Sequence, residues 1–378
     1  QYDEAEKIFL SIAENKNDKN YIRALKELGR LYYAEQKYDE AEEIFHELAR
    51  HTQDINESLI YLILIAEKKQ KCDLAIEYGT RFEEMSSYDP NKYGDFSENI
   101  FIAISKCYLK KGEVEKAQNL LEKRLEKSDL EAFYKTKMIL EIGKNSLELA
   151  EYEKAKEYLE KSKKNESLAK MEQIELDHLL SMALLGEKKY DNILEMTEKQ
   201  DFFQGGKDSL IFAFFSSGMA EIKQNNLEEG REKMNKVFNV IVKNLNLNEF
   251  YKFYYYSFLG HYGLGQVDLK EKKYENAEKN FKNIIEISQK IPDYRYDFFI
   301  EKNNLIFLKL LAHYELAQIN YNIKDDSIKA KEEINNARNI FNSLTDQEKK
   351  VIELKEIGNN GSIIEKINNL NLEINEKN

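Results

Sequence analysis

Tyr38-Asp39-Glu40-Ala41-Glu42-Glu43-Ile44-Phe45 is a short amphipathic stretch that the rest of the chain repeats. It returns as Tyr2-Asp3-Glu4-Ala5-Glu6-Lys7-Ile8-Phe9 and as Tyr274-Glu275-Asn276-Ala277-Glu278-Lys279-Asn280-Phe281. Looser copies run from Tyr152 through Ala155 to Leu159, and from Val114 through Ala117 to Leu121. In each copy an aromatic or its replacement is followed by a small residue three positions on and a large apolar residue four further. That spacing puts all three on one face of a helix with 3.6 residues per turn. The acids between them fall on the opposite face and read as solvated helix surface.

The chain has 378 residues, more than one hydrophobic core usually organises, so it is either several domains or a quasi-one-dimensional array. Only Pro90 and Pro292 interrupt it as prolines, which favours an all-helical chain. Net charge is −12, and residues 1–100 carry 22 acids against 13 bases. Phosphate binding asks for a basic footprint, so nucleic acid is not an expected partner. Cys72 and Cys107 form no CxxC and have no histidines at ligand spacing; both read as small core residues of helices. The longest apolar run, Leu59 to Ala66, is eight residues, against the ~20 that a bilayer span needs. No signal peptide is visible, and a cytoplasmic location follows, with export as the alternative if a leader has been removed. The chain begins with Gln inside a repeat unit, which suggests that further residues precede it.

Taking the first residue of each stretch as a marker gives Tyr2, Tyr38, Cys72, Val114, Tyr152, Tyr190, Leu227, Tyr274 and Ser327. The steps between them are 36, 34, 42, 38, 38, 37, 47 and 53, a mid-thirties period lengthened by insertions. Such a period belongs to stacked helical hairpins. Twelve residues before Ala41 stands Gly29, preceded by Leu28 and followed by Tyr32; twelve before Ala277 stands Gly265, preceded by Leu264. This Leu-Gly-x-x-Tyr…Ala-x-x-x-Phe pattern resembles the tetratricopeptide repeat. The resemblance runs to about residue 342 in roughly eight units and a leading half-unit, without the family's closing proline or its tryptophan. It implies an all-α, right-handed α-α superhelix in which small residues such as Gly29 and Ala41 let paired helices approach. The organisation read from it is an array over 1–344, beginning mid-repeat, with loop insertions near 86–97 and 202–208. Residues 345–378 then form capping helices and a frayed tail, opened by the capping-box sequence Thr345-Asp346-Gln347-Glu348.

Motifs for chemistry fail on inspection. Gly205-Gly206-Lys207-Asp208-Ser209 lacks the residues of a phosphate loop, and its carboxylate would repel phosphate. Gly260, Gly263 and Gly265 follow no strand and fit helix packing rather than dinucleotide binding. The five histidines are scattered, with no metal-ligand spacing. No catalytic residue, metal or cofactor is therefore assigned.

The resemblance further implies that the first helix of each hairpin lines a concave face along which ligands lie. Its second, fifth, ninth and twelfth positions are Arg23, Lys26, Arg30 and Tyr33 in the first full unit. Later units give Lys137, Leu140 and Lys144, then Phe212, Phe215, Met219 and Ile222, then Leu259, Tyr262, Gln266 and Leu269. Arg23, Lys26 and Arg30 suit a carboxylate or an acidic peptide, although the paired asparagines of carboxylate-clamp arrays are absent. The run from Phe250 to Tyr256 holds six aromatics in seven residues, too many for one core stripe, so Tyr251 and Tyr255 join the candidate binding surface. The chain thus reads as a non-catalytic scaffold or adaptor that binds a protein or extended peptide, with homo-oligomerisation left open. The alternatives are a peptide-responsive regulatory module of a larger protein and a cell-envelope assembly factor.

Overall fold

The structure is a computed structural model that describes residues 2–51, 55–84, 98–126, 132–163, 170–198, 207–243, 250–290, 302–354 and 361–377. Every element among them is a helix. In order these are α1 (Tyr2–Ala13), α2 (Tyr21–Ala34), α3 (Tyr38–His51), α4 (Asn56–Lys68), α5 (Cys72–Glu84), α6 (Asn99–Lys110) and α7 (Val114–Leu125). There follow α8 (Ala132–Glu148), α9 (Tyr152–Lys163), α10 (Lys170–Gly186), α11 (Tyr190–Glu198), α12 (Lys207–Lys223) and α13 (Leu227–Lys243). The last are α14 (Phe250–Lys270), α15 (Tyr274–Ser288), α16 (Lys302–Asn322), α17 (Ser327–Asn342), α18 (Asp346–Leu354) and α19 (Ile363–Lys377). The chain divides into two compact units, residues 1–141 and 142–378.

Each of the nine sequence markers is the first residue of a helix, from Tyr2 of α1 to Ser327 of α17. The helix before each later marker is its hairpin partner, so the architecture is an all-α series of tetratricopeptide-type hairpins. Within a hairpin the turn is always built the same way. The residue two before the marker is left-handed: Gln36, Gln70, Gly112, Ala150, Lys188, Asn225, Lys272 and Asp325 have φ between 52° and 70°. In the first seven turns the next residue's N–H donates to the carbonyl five residues back. Lys37 donates to Tyr32 O at 2.9 Å, Glu151 to Ser146 O at 2.8 Å and Lys273 to Asp268 O at 2.8 Å. This Schellman closure satisfies carbonyls that a helix end leaves unpaired.

Close approach inside the hairpin rests on one repeated pair. A β-carbon on Gly29 would lie 2.9 Å from Phe45 Cζ, on Gly143 2.7 Å from Leu159, on Gly218 2.9 Å from Met234 and on Gly265 2.7 Å from Phe281. From glycine to large residue the step is sixteen positions in all four (29 to 45, 143 to 159, 218 to 234, 265 to 281). Phe45, Leu159, Met234 and Phe281 have no exposed surface. The α4–α5 hairpin departs from this: Ile63 stands at the first position, and Gly79 at the second faces Ile104 of α6, where a β-carbon would lie 2.5 Å from its Cδ1.

The acids of the opening motif do more than face solvent. Asp39 and Glu42 of α3 both pair with Lys69, which follows α4. Asp73 of α5 pairs with Lys111 after α6, and Glu278 of α15 with Lys324 after α16. Asp191 of α11 accepts from Gln224, after α12, at 2.7 Å. Within each unit, then, the start of one second helix is tied to the turn of the next hairpin. The exposed ones among these pairs are individually weak, because solvent screens them, but they recur in register. A buried pair sits in the first unit, where Arg124 Nε and Nη2 reach the Glu98 carboxylate at 2.9 and 2.5 Å. That bidentate geometry compensates the desolvation of both charges.

Thr345 makes the capping box its sequence predicts: its N–H donates to Glu348 Oε2 at 2.9 Å, and Glu348 N–H to Thr345 Oγ1 at 3.2 Å. Ser362 and Glu365 repeat it at α19. Ile363, Ile367, Leu370 and Ile374 of α19 are buried in one core with Leu310, Leu311 and Ala317 of α16 and Ala330, Ile334 and Ala337 of α17. The segment 86–97 lies outside the described residues, as do 202–206, while Lys207 and Asp208 open α12.

Only Gly112 among the eight turn residues is glycine, and a left-handed alanine costs about 1–2 kcal/mol against a right-handed one. Ala150→Gly is expected to stabilise the protein by about 0.5–1 kcal/mol, the unfolded-state entropy of glycine taking back the rest. Gly112→Ala should destabilise it by a similar amount, both read as shifts of the thermal midpoint.

Candidate functional site

In the second unit the first helices α10, α12, α14 and α16 touch one another in succession, whereas each second helix packs chiefly on first helices. The first helices are therefore the inner layer of this unit, and residues on them that packing does not consume are its candidate site.

In the first unit Arg23, Lys26 and Arg30 share one side of α2, but they do not form an open basic patch. Lys26 Nζ lies 2.7 Å from Glu57 Oε2, and Arg30 Nη2 lies 2.6 Å from Glu57 Oε1. A single carboxylate from the first turn of α4 thus neutralises two of the three cations. Arg23 is exposed and forms no ion pair among the described residues. Tyr33 packs edge-on against Tyr38 and Tyr61, 5.8 and 5.4 Å between ring centres. Lys137 places its ammonium 4.3 Å from the centre of the Phe133 ring. In the second unit Lys144 pairs with Glu175 at 2.8 Å.

The aromatic candidates divide. Phe212 is 1% exposed, stacked on His178 at 3.9 Å and edge-on to Tyr256 at 5.7 Å. Met219 is buried with Ile222, Met234 and Val267, and Tyr255 is buried in the same core as Phe258 and Phe281. These three side chains fill the core and offer a ligand no surface. The reason is that an inner-layer helix is covered by its hairpin partner and by first helices on either side, so it buries far more than one stripe. That arrangement also accommodates the aromatic run: Tyr256 is buried with its phenol donating to Asp208 Oδ1 at 2.7 Å, and Tyr254 is half-buried. The side chain of Tyr251 lies outside the described residues. Phe215 and Tyr262 are half-buried, and both rest on the buried clusters beneath them.

Around Tyr262 the structure assembles a polar set from four helices. Gln266 of α14, one turn on, donates from Nε2 to Glu315 Oε1 of α16 at 3.1 Å. Burial pushes the Glu315 carboxyl up, while the Gln266 bond and the charges of Lys366 and Lys223 act in the opposite direction. Burial, with Glu315 adding to it, also pushes the Tyr262 phenol up. Burial and then Lys223 pull Lys270 down; burial and Lys223 pull Lys366 of α19 down, with Glu315 opposing. Lys270 Nζ donates to the carbonyl of Ile222, in the last turn of α12. Lys223 forms no ion pair, and the Tyr262 hydroxyl no hydrogen bond, among the described residues. Lys223 and Lys366 thus act on the Glu315 carboxylate, and Lys223 also acts on Lys270, which places three lysines in one neighbourhood of a chain of net charge −12.

Of this set, sequence projection found Tyr262 and Gln266 and missed Lys223, Lys270, Glu315 and Lys366. Lys223 and Lys270 each stand four residues before a marker, Leu227 and Tyr274, a periodic signal that was available. Lys366 belongs to α19, beyond the repeats, and carried no such signal. Among the described residues no three or more His, Cys, Asp or Glu side chains gather as a metal site, and no helix is long and apolar enough to cross a membrane.

No family model and no curated protein matches the chain. Among solved structures it is similar to a Rap protein complexed with Competence and Sporulation Factor, at 11% identity over 95% of this chain and 100% of that one, with a TM-score of 0.47. It is also similar to a tetratricopeptide repeat protein from Parabacteroides merdae, at 15% identity over 88% of this chain and 98% of that one, with a TM-score of 0.41. A third is a signal transduction ATPase with a tetratricopeptide repeat sensor from Pyrococcus horikoshii, at 15% identity over 92% of this chain and 46% of that one, with a TM-score of 0.44.

His178, whose ring lies against Phe212, is expected to make the second unit acid-sensitive. Burial pulls its imidazole from 6.5 down to about 4. The folded state binds this proton less readily than the unfolded chain, so stability is fully present above pH ~6.5 and falls as pH drops from there towards ~4. The loss should reach about 3 kcal/mol. In pH-dependent denaturation, His178→Phe is expected to remove that part of the slope between those two values and leave the rest.

Proposed function

We propose that this chain is a non-catalytic binding module that takes an extended peptide or protein segment along the first-helix face of its second unit. An acidic group of the ligand is held by Lys223, Lys270 and Lys366. The observation that carries the reading is the gathering of lysines from α12, α14 and α19: Lys223 acts on both Lys270 and Lys366, and Lys223 and Lys366 act on the Glu315 carboxylate. Burial and the charge of Lys223 lower the affinity of Lys270 and Lys366 for their protons, a cost that a bound carboxylate offsets. Tyr262 and Gln266 supply neutral hydrogen-bonding groups beside it, and half-buried Phe215 offers an apolar contact. A hydrogen bond to a charged group contributes about 1.5–3 kcal/mol, enough for selection between peptides. The basic side of α2 is the weaker candidate because Glu57 already occupies Lys26 and Arg30.

The test uses an immobilised array of twelve-residue peptides graded from basic to acidic, probed with the full chain at two salt concentrations. Acidic peptides should be retained selectively and less well at high salt, since screening weakens partly exposed charge contacts. The Lys223→Glu, Lys366→Glu double variant, shown by circular dichroism to keep its helices, should lose at least about tenfold in affinity, roughly 1.4 kcal/mol or more. Retention that ignores acid content, or that survives in the folded double variant, overturns the reading.

A further inference from the structure

Cys72 and Cys107 are the chain's two cysteines, and they stand thirty-five positions apart in sequence (72 to 107). The fold brings them together. Cys72 is the first residue of α5, Cys107 lies in the last turn of α6, and these two helices pack directly on each other. Both side chains belong to one small core with Ala66 and Ala75. The environments differ in a useful way: Cys107 has no exposed surface, whereas Cys72 is half-buried and open to solvent on one side.

Their ionisation differs too. Cys107 pulls the Cys72 thiol down, with Lys110 adding to the effect against burial. Cys72 and burial push the Cys107 thiol up. The unpaired N–H groups at the start of α5 act in the same direction on Cys72. One thiol is thus reachable and disposed to ionise, and the other is packed against it, protonated and shielded. That is the arrangement of an attacking and a resolving cysteine rather than of two inert core residues.

We propose that Cys72 and Cys107 form an oxidisable dithiol that closes into a disulfide between the second helix of one hairpin and the first helix of the next. With a hydroperoxide as oxidant, the Cys72 thiolate attacks the peroxide oxygen. The O–O bond breaks, and the leaving oxygen takes a proton to depart as water or alcohol. Cys72 is now a sulfenic acid. Cys107 attacks its sulfur, the S–S bond forms, the S–O bond breaks, and hydroxide leaves with the Cys107 proton as water. Two thiols are oxidised and one peroxide is reduced. A dithiol reductant reverses the result. In the closed form α5 and α6 are covalently joined, so the stacking of these hairpins becomes dependent on redox state.

The test treats the reduced full chain with hydrogen peroxide and then counts thiols by alkylation under denaturing conditions. The reduced protein should show two alkylatable cysteines and the oxidised monomer none, with a mass loss of about 2 Da and a peptide joined through Cys72 and Cys107. The thermal midpoint should rise on oxidation and return with dithiothreitol. In Cys107→Ala, Cys72 should proceed to sulfinic acid or a disulfide-linked dimer. In Cys72→Ala, Cys107 should react at least about tenfold more slowly than Cys72 does in Cys107→Ala. Two thiols still alkylatable in the treated wild-type chain, a disulfide found only between molecules, or equal reactivity of the two single cysteines would each overturn the proposal.

Discussion

In four hairpins a large side chain of the second helix lies where the first helix has no β-carbon, and their close approach depends on this contact. Phe45 over Gly29 and Phe281 over Gly265 bring two helix backbones together at one fixed point. The large residue is then wholly enclosed, and truncating such a residue to alanine costs about 3–5 kcal/mol for a phenylalanine. A single hairpin cannot enclose the rest of its apolar surface, so its neighbours must. The left-handed turn and the Schellman bond fix the angle at which the second helix returns, and the glycine–large-residue pair fixes its distance.

Stacking adds a second layer of constraint. Acids at the start of a second helix reach basic or amide groups at the turn of the next hairpin, as Asp39 and Glu42 do with Lys69 and Asp73 with Lys111. These contacts hold little energy individually, yet each is available in only one register. In the second unit the first helices α12, α14 and α16, although largely buried, still carry Lys223, Tyr262, Gln266, Lys270 and Glu315, and α19 adds Lys366. The functional reading therefore follows from what packing leaves over.

Much of the fold was legible because packing repeats. Nine markers taken from the octapeptide each open a helix, and Gly29 and Ala41 read as close-approach positions, whereas the packing of Phe45 on Gly29 within one hairpin was not read. The left-handed turn residues were not legible, since Gln36, Ala150 and Lys188 are types that sequence reading does not associate with positive φ. The candidate site was read less well, for a different physical reason. Helical projection places residues on a face of their own helix but does not say what covers that face. Phe212, Met219 and Tyr255 sit under neighbouring helices, and Lys26 and Arg30 meet Glu57 from the next hairpin. Cys72 and Cys107 likewise became a pair only through the packing of α5 on α6.

The central functional claim is that lysine charge is crowded at one place on the second unit. Competitive amine labelling with a trace acylating reagent, read lysine by lysine by mass spectrometry across a pH series, measures this directly. Lys270 and Lys366 are predicted to titrate below the ordinary lysine range, and Glu315→Lys to lower Lys366 further by replacing the carboxylate that supports its charge. If Lys270 and Lys366 titrate in the ordinary lysine range and the Glu315 variant leaves Lys366 unmoved, the crowded site does not exist in solution.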